Sequence, residues 1–495
     1  MKYQSTRSSS LTVDSLQAVL QGLAPDGGLY LPQQLKQLSI DWKCALHEDM
    51  LALETRVLSA LLPDFADMRR LVVRAYTGKF ETAELTPTVR VGEDHLLELF
   101  HGPTCAFKDV ALSMLPQLLC AAKAQLGDKR ITLVLTATSG DTGKAALEGF
   151  RDVPGVRVVV FYPEQGVSPV QKAQMVTQTG GNVRVCAVRG NFDDAQAGVK
   201  RVFAACADGE LLQGSGVSLS SANSINIGRL APQVAYYFKA YADLVRGGTA
   251  APGAPVDFVV PTGNFGNILA GYLAKAMGLP VGRLVCASNA NRVLTDFLST
   301  GCYDRRRAFC KTLSPSMDIL VSSNLERLLY LVTDGDTAAV SRWMAQLNEN
   351  GSYCVPAAVL ARLQETFWAG SCSDEETTEA IACLWSRYHY LADTHTAVAW
   401  HVAQQYKKTQ PGGRPLVILS TASPYKFPAA VLTALGGPQA VEGLDEFAVM
   451  EELHRRTGMP IPGSLAGLRS RPVLHRDSID PRGILDYVLQ EARKR

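Results

Sequence analysis

Short runs of apolar, largely β-branched residues recur along the chain at 131–135, 156–162, 183–188, 256–260, 283–287 and 416–419. Continuous runs of this length suit strands covered on both faces, as in a parallel sheet wrapped by helices. Between them the pattern turns helical. Residues 110–124 are rich in Leu, Ala and Met, 231–245 carry Pro232 near a helix start, and 269–277 stop before Gly278 and Pro280. The alternation predicts an α/β fold with ligands at the carboxyl ends of the strands.

The first 90 or so residues follow another pattern: amphipathic helical segments at 16–20, 50–62 and 68–75, few strand runs, and a turn-rich stretch at 22–32. They predict a largely helical N-terminal unit. Residues 338–390 read as a further helical elaboration, and 247–253 as a surface loop before a strand.

At 495 residues the chain holds about three units of roughly 150 residues each. With 47% hydrophobic and 19% charged residues it can bury a large core. Its net charge of only +2, from 49 Lys+Arg against 47 Asp+Glu, argues against a nucleic-acid partner. The 11 cysteines are scattered singly with no CxxC pair, which argues against a disulfide framework and a zinc site and fits a reducing, cytoplasmic setting. No N-terminal apolar stretch has signal-peptide length and no run suits a membrane span, so no membrane partner is expected.

Two glycine loops each follow a strand run and precede a helical one. The first runs Thr136-Ala137-Thr138-Ser139-Gly140-Asp141-Thr142-Gly143, the second Pro261-Thr262-Gly263-Asn264-Phe265-Gly266-Asn267. Glycine lets backbone approach an anion, and the following helix supplies free N–H groups. Neither loop completes a Walker motif or GxGxxG, so ATP-driven and nicotinamide chemistry lose support. A tight strand–helix connection is the plain alternative for either loop.

A third feature is Phe100-His101-Gly102-Pro103-Thr104-Cys105-Ala106-Phe107-Lys108-Asp109, just before an apolar helix. A lysine desolvated beside Ala106 and Phe107 has a lowered pKa and becomes a nucleophile for a carbonyl. One such amine and two anion-binding loops on an α/β scaffold match the needs of a phosphorylated aldehyde cofactor, pyridoxal 5'-phosphate.

These residues, with 3–7, 22–32, 221–229, 393–399 and 419–427, resemble the threonine synthases, pyridoxal-phosphate enzymes of the tryptophan-synthase-β-like fold. The resemblance runs through nearly the whole chain. It implies the α/β architecture of pyridoxal-phosphate fold type II: two open α/β domains plus the largely helical N-terminal domain at 1–95. The cofactor domain would take 96–130 and 206–495, and a smaller substrate-gripping domain 131–205.

By the same resemblance, Lys108 is the Schiff-base lysine and the catalytic proton carrier. Gly263, Asn264, Phe265, Gly266 and Asn267 would hold the cofactor phosphate, and Thr421 would face the pyridine nitrogen. Thr138, Ser139, Asp141 and Thr142 match the segment that grips the substrate carboxylate, and Ser224 and Arg229 the pair that receives its phosphate. A guanidinium suits phosphate because its planar fork binds bidentately. Asp141 departs from relatives that carry asparagine beside the cofactor's 3′-oxygen. An ionised Asp141 would repel that oxygen, so it either points away or shares a proton. Ser423-Pro424-Tyr425-Lys426-Phe427 stands where His-Pro-Ala-Lys-Phe is common, with Lys426 either aiding phosphate binding or forming an ion pair. His101 and His395 read as structural histidines, Arg229 alternatively as a salt-bridge partner, Thr421 as a strand-end cap, and Asn223 and Asn226 as turn or helix-start residues.

The implied reaction turns O-phospho-L-homoserine and water into L-threonine and phosphate, the last step of threonine biosynthesis, with no metal. A monomer is implied, with a homodimer as the alternative. Two rivals stand beside it: a phospho-lyase giving a 2-oxo acid, and a non-catalytic metabolite-binding relative. A serine or cysteine hydrolase is disfavoured because no nucleophile sits in an elbow motif.

Overall fold

The continuous apolar runs become the strands of two sheets. The computed structural model describes residues 1–138, 140–164, 167–206, 209–410 and 413–494. The larger sheet has six strands in the order Phe367–Ser371, Val281–Ser288, Val256–Pro261, Leu416–Ser420, Asp94–Glu98 and Thr88–Val91. All neighbours are parallel except the last two, which pair antiparallel. Register is carried by apolar contacts such as Val259 opposite Val285 and Ile418. Val256–Pro261 and Leu416–Ser420 are buried along their whole length, as strands covered on both faces must be.

The second sheet has five parallel strands in the order Asp477–Ile479, Val183–Val188, Val156–Pro163, Ile131–Ala137 and Val217–Ser221. It thus draws strands from beyond the 131–205 span, including one near the end of the chain. The apolar helix Lys108–Leu126 leads from the first sheet to the second and packs against the helix Asp141–Gly149.

The N-terminal segment has its expected helices at Ser15–Gln21, Met50–Leu61 and Met68–Tyr76, and also a three-stranded antiparallel sheet of Tyr3–Ser5, Thr12–Val13 and Tyr30–Pro32. At two or three residues each, those strands are too short to show as apolar runs. The 338–390 stretch is helical at Thr337–Asn350, Ala357–Thr366 and Asp374–Tyr388, but Phe367–Ser371 inside it is an edge strand of the larger sheet.

One expectation is overturned. Cys302 and Cys354 form a disulfide across the antiparallel pair Cys302–Asp304 and Ser352–Cys354. They lie 52 residues apart, a separation that says nothing until strand pairing brings them together. Among the described residues no helix is long and apolar enough to cross a membrane.

Candidate active site

Loops at the carboxyl ends of the strands meet around the N-terminus of the helix Lys108–Leu126, at its first residue. The turn before it is tied to the end of the strand Leu416–Ser420: Phe107 N donates to Thr421 O at 2.9 Å, and Ser423 N to Cys105 O at 3.0 Å. Ala106 bridges Ala422. Cys105 adopts a left-handed φ of 60°, and the Asp109 carboxylate closes the turn by accepting from Thr104 N at 2.9 Å. Gly102 is required there, because a Cβ would sit 2.4 Å from that of Asp109. Burial of Asp109 raises its carboxyl to about 6 despite those donors.

Lys108 is buried, and that burial lowers its amine against the pull of Asp141, with Lys426 and Arg229 lowering it further. Its Nζ lies 3.0 Å from Asp141 Oδ2 and 3.3 Å from Ser316 Oγ. Asp141, in the first turn of Asp141–Gly149, is the centre of the cluster. Lys426 Nζ lies 2.7 Å from its Oδ1, Gln171 Nε2 donates at 3.0 Å, and Ser316 Oγ donates to Oδ2 at 3.1 Å. Burial alone would raise Asp141, but Lys108 and Lys426 hold it well below the usual carboxylate range. Asp141 is therefore ionised and neutralised by two lysines. Lys426 forms an ion pair, and it also donates to Thr104 O at 3.0 Å.

The other departures in that motif also have local roles. Ser423 caps the short turn Pro424–Lys426 by accepting from Tyr425 N, and Tyr425 reaches Met459 O with its hydroxyl.

The second glycine loop precedes the helix Gly266–Ala276, whose first-turn N–H groups have no intrahelical acceptor. Phe265 stands at its N-cap with φ 60°. A Cβ on Gly263 would come within 2.9 Å of Ser316 O, so glycine lets this loop lie against the segment carrying Ser316. Asn264 O accepts from Asn324 N at 3.1 Å. Asn267 Oδ1 accepts from the hydroxyls of Tyr236 at 2.6 Å and Tyr237 at 3.0 Å, while its buried Nδ2 has no partner among the described residues.

Thr138 turns its hydroxyl inward to accept from Gly140 N and Gly143 N, both at 3.0 Å, and so shapes the first loop. Ser139 lies outside the described residues. Thr142 is half-buried on the same turn. Ser224 Oγ lies 3.5 Å from Ser323 Oγ, across from the second loop.

Arg229 is buried and, among the described residues, has no carboxylate within ion-pair distance. Its Nη1 donates to Ala222 O at 2.5 Å, and burial lowers its guanidinium to about 10. A structural salt bridge is therefore not its role. Asn226 caps the turn Ile227–Leu230, accepting from Gly228 N and donating to Val19 O. His101 pairs with Glu98 at 2.8 Å.

Ser316, Gln171 and Ser323 were not singled out from the sequence. They carry no motif, and each comes from a segment distant in the chain from Lys108. His395 reads from the sequence as a structural histidine, and its Nε2 accepts from Ser316 N at 3.1 Å.

Comparison with known proteins matches three family models: "Pyridoxal-phosphate dependent enzyme" over residues 95–421, "Threonine synthase N terminus" over 2–90, and "Threonine synthase, C-terminal" over 396–464. The threonine synthase of Saccharomyces cerevisiae is 40% identical over 468 residues, 88% of this chain and 89% of that protein. Human threonine synthase-like 1 is 41% identical over 434 residues, 85% of this chain but 58% of the human protein. Thus the chain spans only about 58% of the length of that human relative. A crystal structure of threonine synthase from Brucella melitensis with pyridoxal phosphate bound superposes with a TM-score of 0.86 at 36% identity, covering 100% of both chains.

The residues present fit that cofactor. It needs an unprotonated amine and a phosphate cradle, and the cluster offers the depressed amine of Lys108, the glycine-lined helix start at Gly263–Asn267 and the unpartnered Asn267 Nδ2. Buried Arg229 leaves a positive charge for a second anion.

Proposed function

The chain belongs to the threonine synthase family of pyridoxal-phosphate-dependent enzymes, and we propose that it converts O-phospho-L-homoserine and water into L-threonine and phosphate. The observation that carries this reading is the buried Lys108 amine together with a buried Arg229 that acts on it electrostatically and has no carboxylate partner among the described residues. The first suits proton transfer at carbon, the second an anionic leaving group.

Bound pyridoxal phosphate supplies the electron sink that acidifies the substrate's carbon–hydrogen bonds. Lys108 is the residue that would hold it covalently, with Gly263, Asn264, Phe265, Gly266 and Asn267 around its phosphate and Thr421 by its ring nitrogen. The chain's own groups do the rest. Arg229 and Ser224 bind the substrate phosphate, and the guanidinium favours its departure from Cγ by meeting the growing charge. The Thr138–Thr142 turn, at the start of a helix, takes the substrate carboxylate. Lys108 withdraws the protons at Cα and Cβ and delivers one at Cγ, the other leaves with the departing phosphate, and water adds across Cα and Cβ, its hydroxyl to Cβ and its proton to Cα. A lowered amine pKa lets Lys108 act as a base near neutral pH. Lys426 neutralises Asp141 whatever the state of Lys108, which keeps an uncompensated carboxylate away from the cofactor's oxygens.

The relatives named threonine synthase-like 1 leave room for a second reading, which we take as elimination to 2-oxobutyrate, ammonia and phosphate. Product analysis with O-phosphohomoserine separates them: threonine supports the synthase, and 2-oxobutyrate with ammonia the lyase.

A further inference from the structure

We propose that Ser316 is a working hydroxyl of the Lys108 centre, and that Asp393 and His395 form a buried dyad whose task is to position it; this rests on the role given to Lys108 above. Ser316 lies in a short turn, Pro315–Met317, far in sequence from Lys108. Its Oγ sits 3.3 Å from Lys108 Nζ and donates to Asp141 Oδ2 at 3.1 Å, so it spans the reacting amine and its counter-ion.

The turn is held from behind by its own backbone. Ser316 N lies 3.1 Å from His395 Nε2, and an N–H can only donate, so Nε2 is the acceptor and the ring proton is on Nδ1. Nδ1 in turn faces Asp393 Oδ2 at 2.7 Å. The imidazole is therefore committed as a neutral tautomer, donating at one nitrogen and accepting at the other. Nothing is left over for acid–base work.

Asp393 is fixed independently. It caps the helix Thr394–Thr409, accepting from His395 N and Thr396 N, both at 3.0 Å. Thr396 Oγ1 lies 3.0 Å from Ser420 Oγ at the end of the central strand, and the His395 ring packs on Phe427 at 4.9 Å between centroids. The neighbours of Ser316 are tied elsewhere, Leu313 N donating to Asp374 Oδ1 at 3.1 Å, Asn289 Nδ2 to Ser314 Oγ at 3.0 Å and Met317 N to Ser314 O at 3.0 Å, so His395 is the group that holds the Ser316 amide itself. Loss of the His395 acceptor orphans the Ser316 N–H and frees its hydroxyl from Lys108.

Amide variants divide the two ends of the imidazole. In His395→Asn the side-chain N–H replaces Nδ1 but no acceptor reaches Ser316; in His395→Gln the carbonyl oxygen replaces Nε2. The experiment uses the holoenzyme, reading hydrogen exchange at residue 316 alongside phosphate release from O-phosphohomoserine. His395→Asn is expected to speed exchange and lower kcat, each roughly five- to tenfold, the scale of one hydrogen bond, with KM little changed. His395→Gln is expected to restore both, and Ser316→Ala to lower kcat while leaving exchange as in wild type. Wild-type exchange in His395→Asn, or full kcat in Ser316→Ala, would overturn the proposal. Should wild type make no phosphate, the exchange pattern still reads the dyad, so failure of the reaction and failure of the positioning are distinct results.

Discussion

Asp141 shows how one side chain gains meaning from its neighbours. Read alone, a carboxylate beside the cofactor's oxygen is a liability; in the folded chain it is shared between Lys108 and Lys426. Removing one partner of a buried pair costs more than the pair contributes, because it strands a charge. Asp141→Asn is therefore expected to destabilise the protein by about 3 kcal/mol, and Asp141→Asn with Lys426→Met to recover much of that, as measured by denaturant unfolding. Because the folded pKa of Asp141 is depressed, its contribution is present above the ordinary carboxylate pKa and is lost as pH falls through the folded value.

Asp109 has the opposite sign. Its folded pKa is raised to about 6, so the folded state holds the proton more tightly and stability falls as pH rises from the ordinary carboxylate value to about 6. The size is about 3 kcal/mol at one pKa unit per 1.36 kcal/mol. Asp109→Asn is expected to flatten that slope in urea midpoints taken across the same range. The sequence exposed Lys108 because apolar neighbours and a following helix signal desolvation. It concealed Ser316 and Gln171, whose only signal is three-dimensional proximity.

At the scale of elements, strands covered on both faces were legible because burial forces long apolar runs, as at 158–162 within Val156–Pro163. Tyr3–Ser5 and Asp477–Ile479 were not, since three-residue strands of mixed polarity give no period. Phe367–Ser371 was hidden between two helices whose pattern continued across it. Close helix packing was equally hidden. Gly149 lies so near the Lys108–Leu126 helix that a Cβ would stand 1.9 Å from Leu112 O. Gly149→Ala must push apart the two helices that carry Lys108 and Asp141, and is expected to cost about 3 kcal/mol, with weaker cofactor binding seen in the visible absorbance of the holoenzyme.

The Cys302–Cys354 bond joins two short strands on either side of a 52-residue separation. Closing such a loop removes about 4 kcal/mol of unfolded-state entropy in the chain-entropy account. Reduction, or Cys302→Ser, is expected to lower stability by up to that amount, read as a lower urea midpoint.

For the whole molecule, two parallel-rich sheets present the carboxyl ends of their strands to a common cluster. The larger sheet contributes the Gly263–Asn267 loop and Thr421, the smaller one the Thr138–Thr142 turn, and the Lys108–Leu126 helix connects them. The near-zero net charge of +2 fits the proposed role of this arrangement, in which anions would be met by a few buried donors and Arg229 rather than by a basic surface. The most direct test of the central claim is product analysis of purified wild type and a folded Lys108→Ala variant supplied with pyridoxal phosphate and O-phosphohomoserine. The account predicts threonine and phosphate in equal amounts from wild type and neither from the variant. Full activity without Lys108, or 2-oxobutyrate and ammonia in place of threonine, would contradict it.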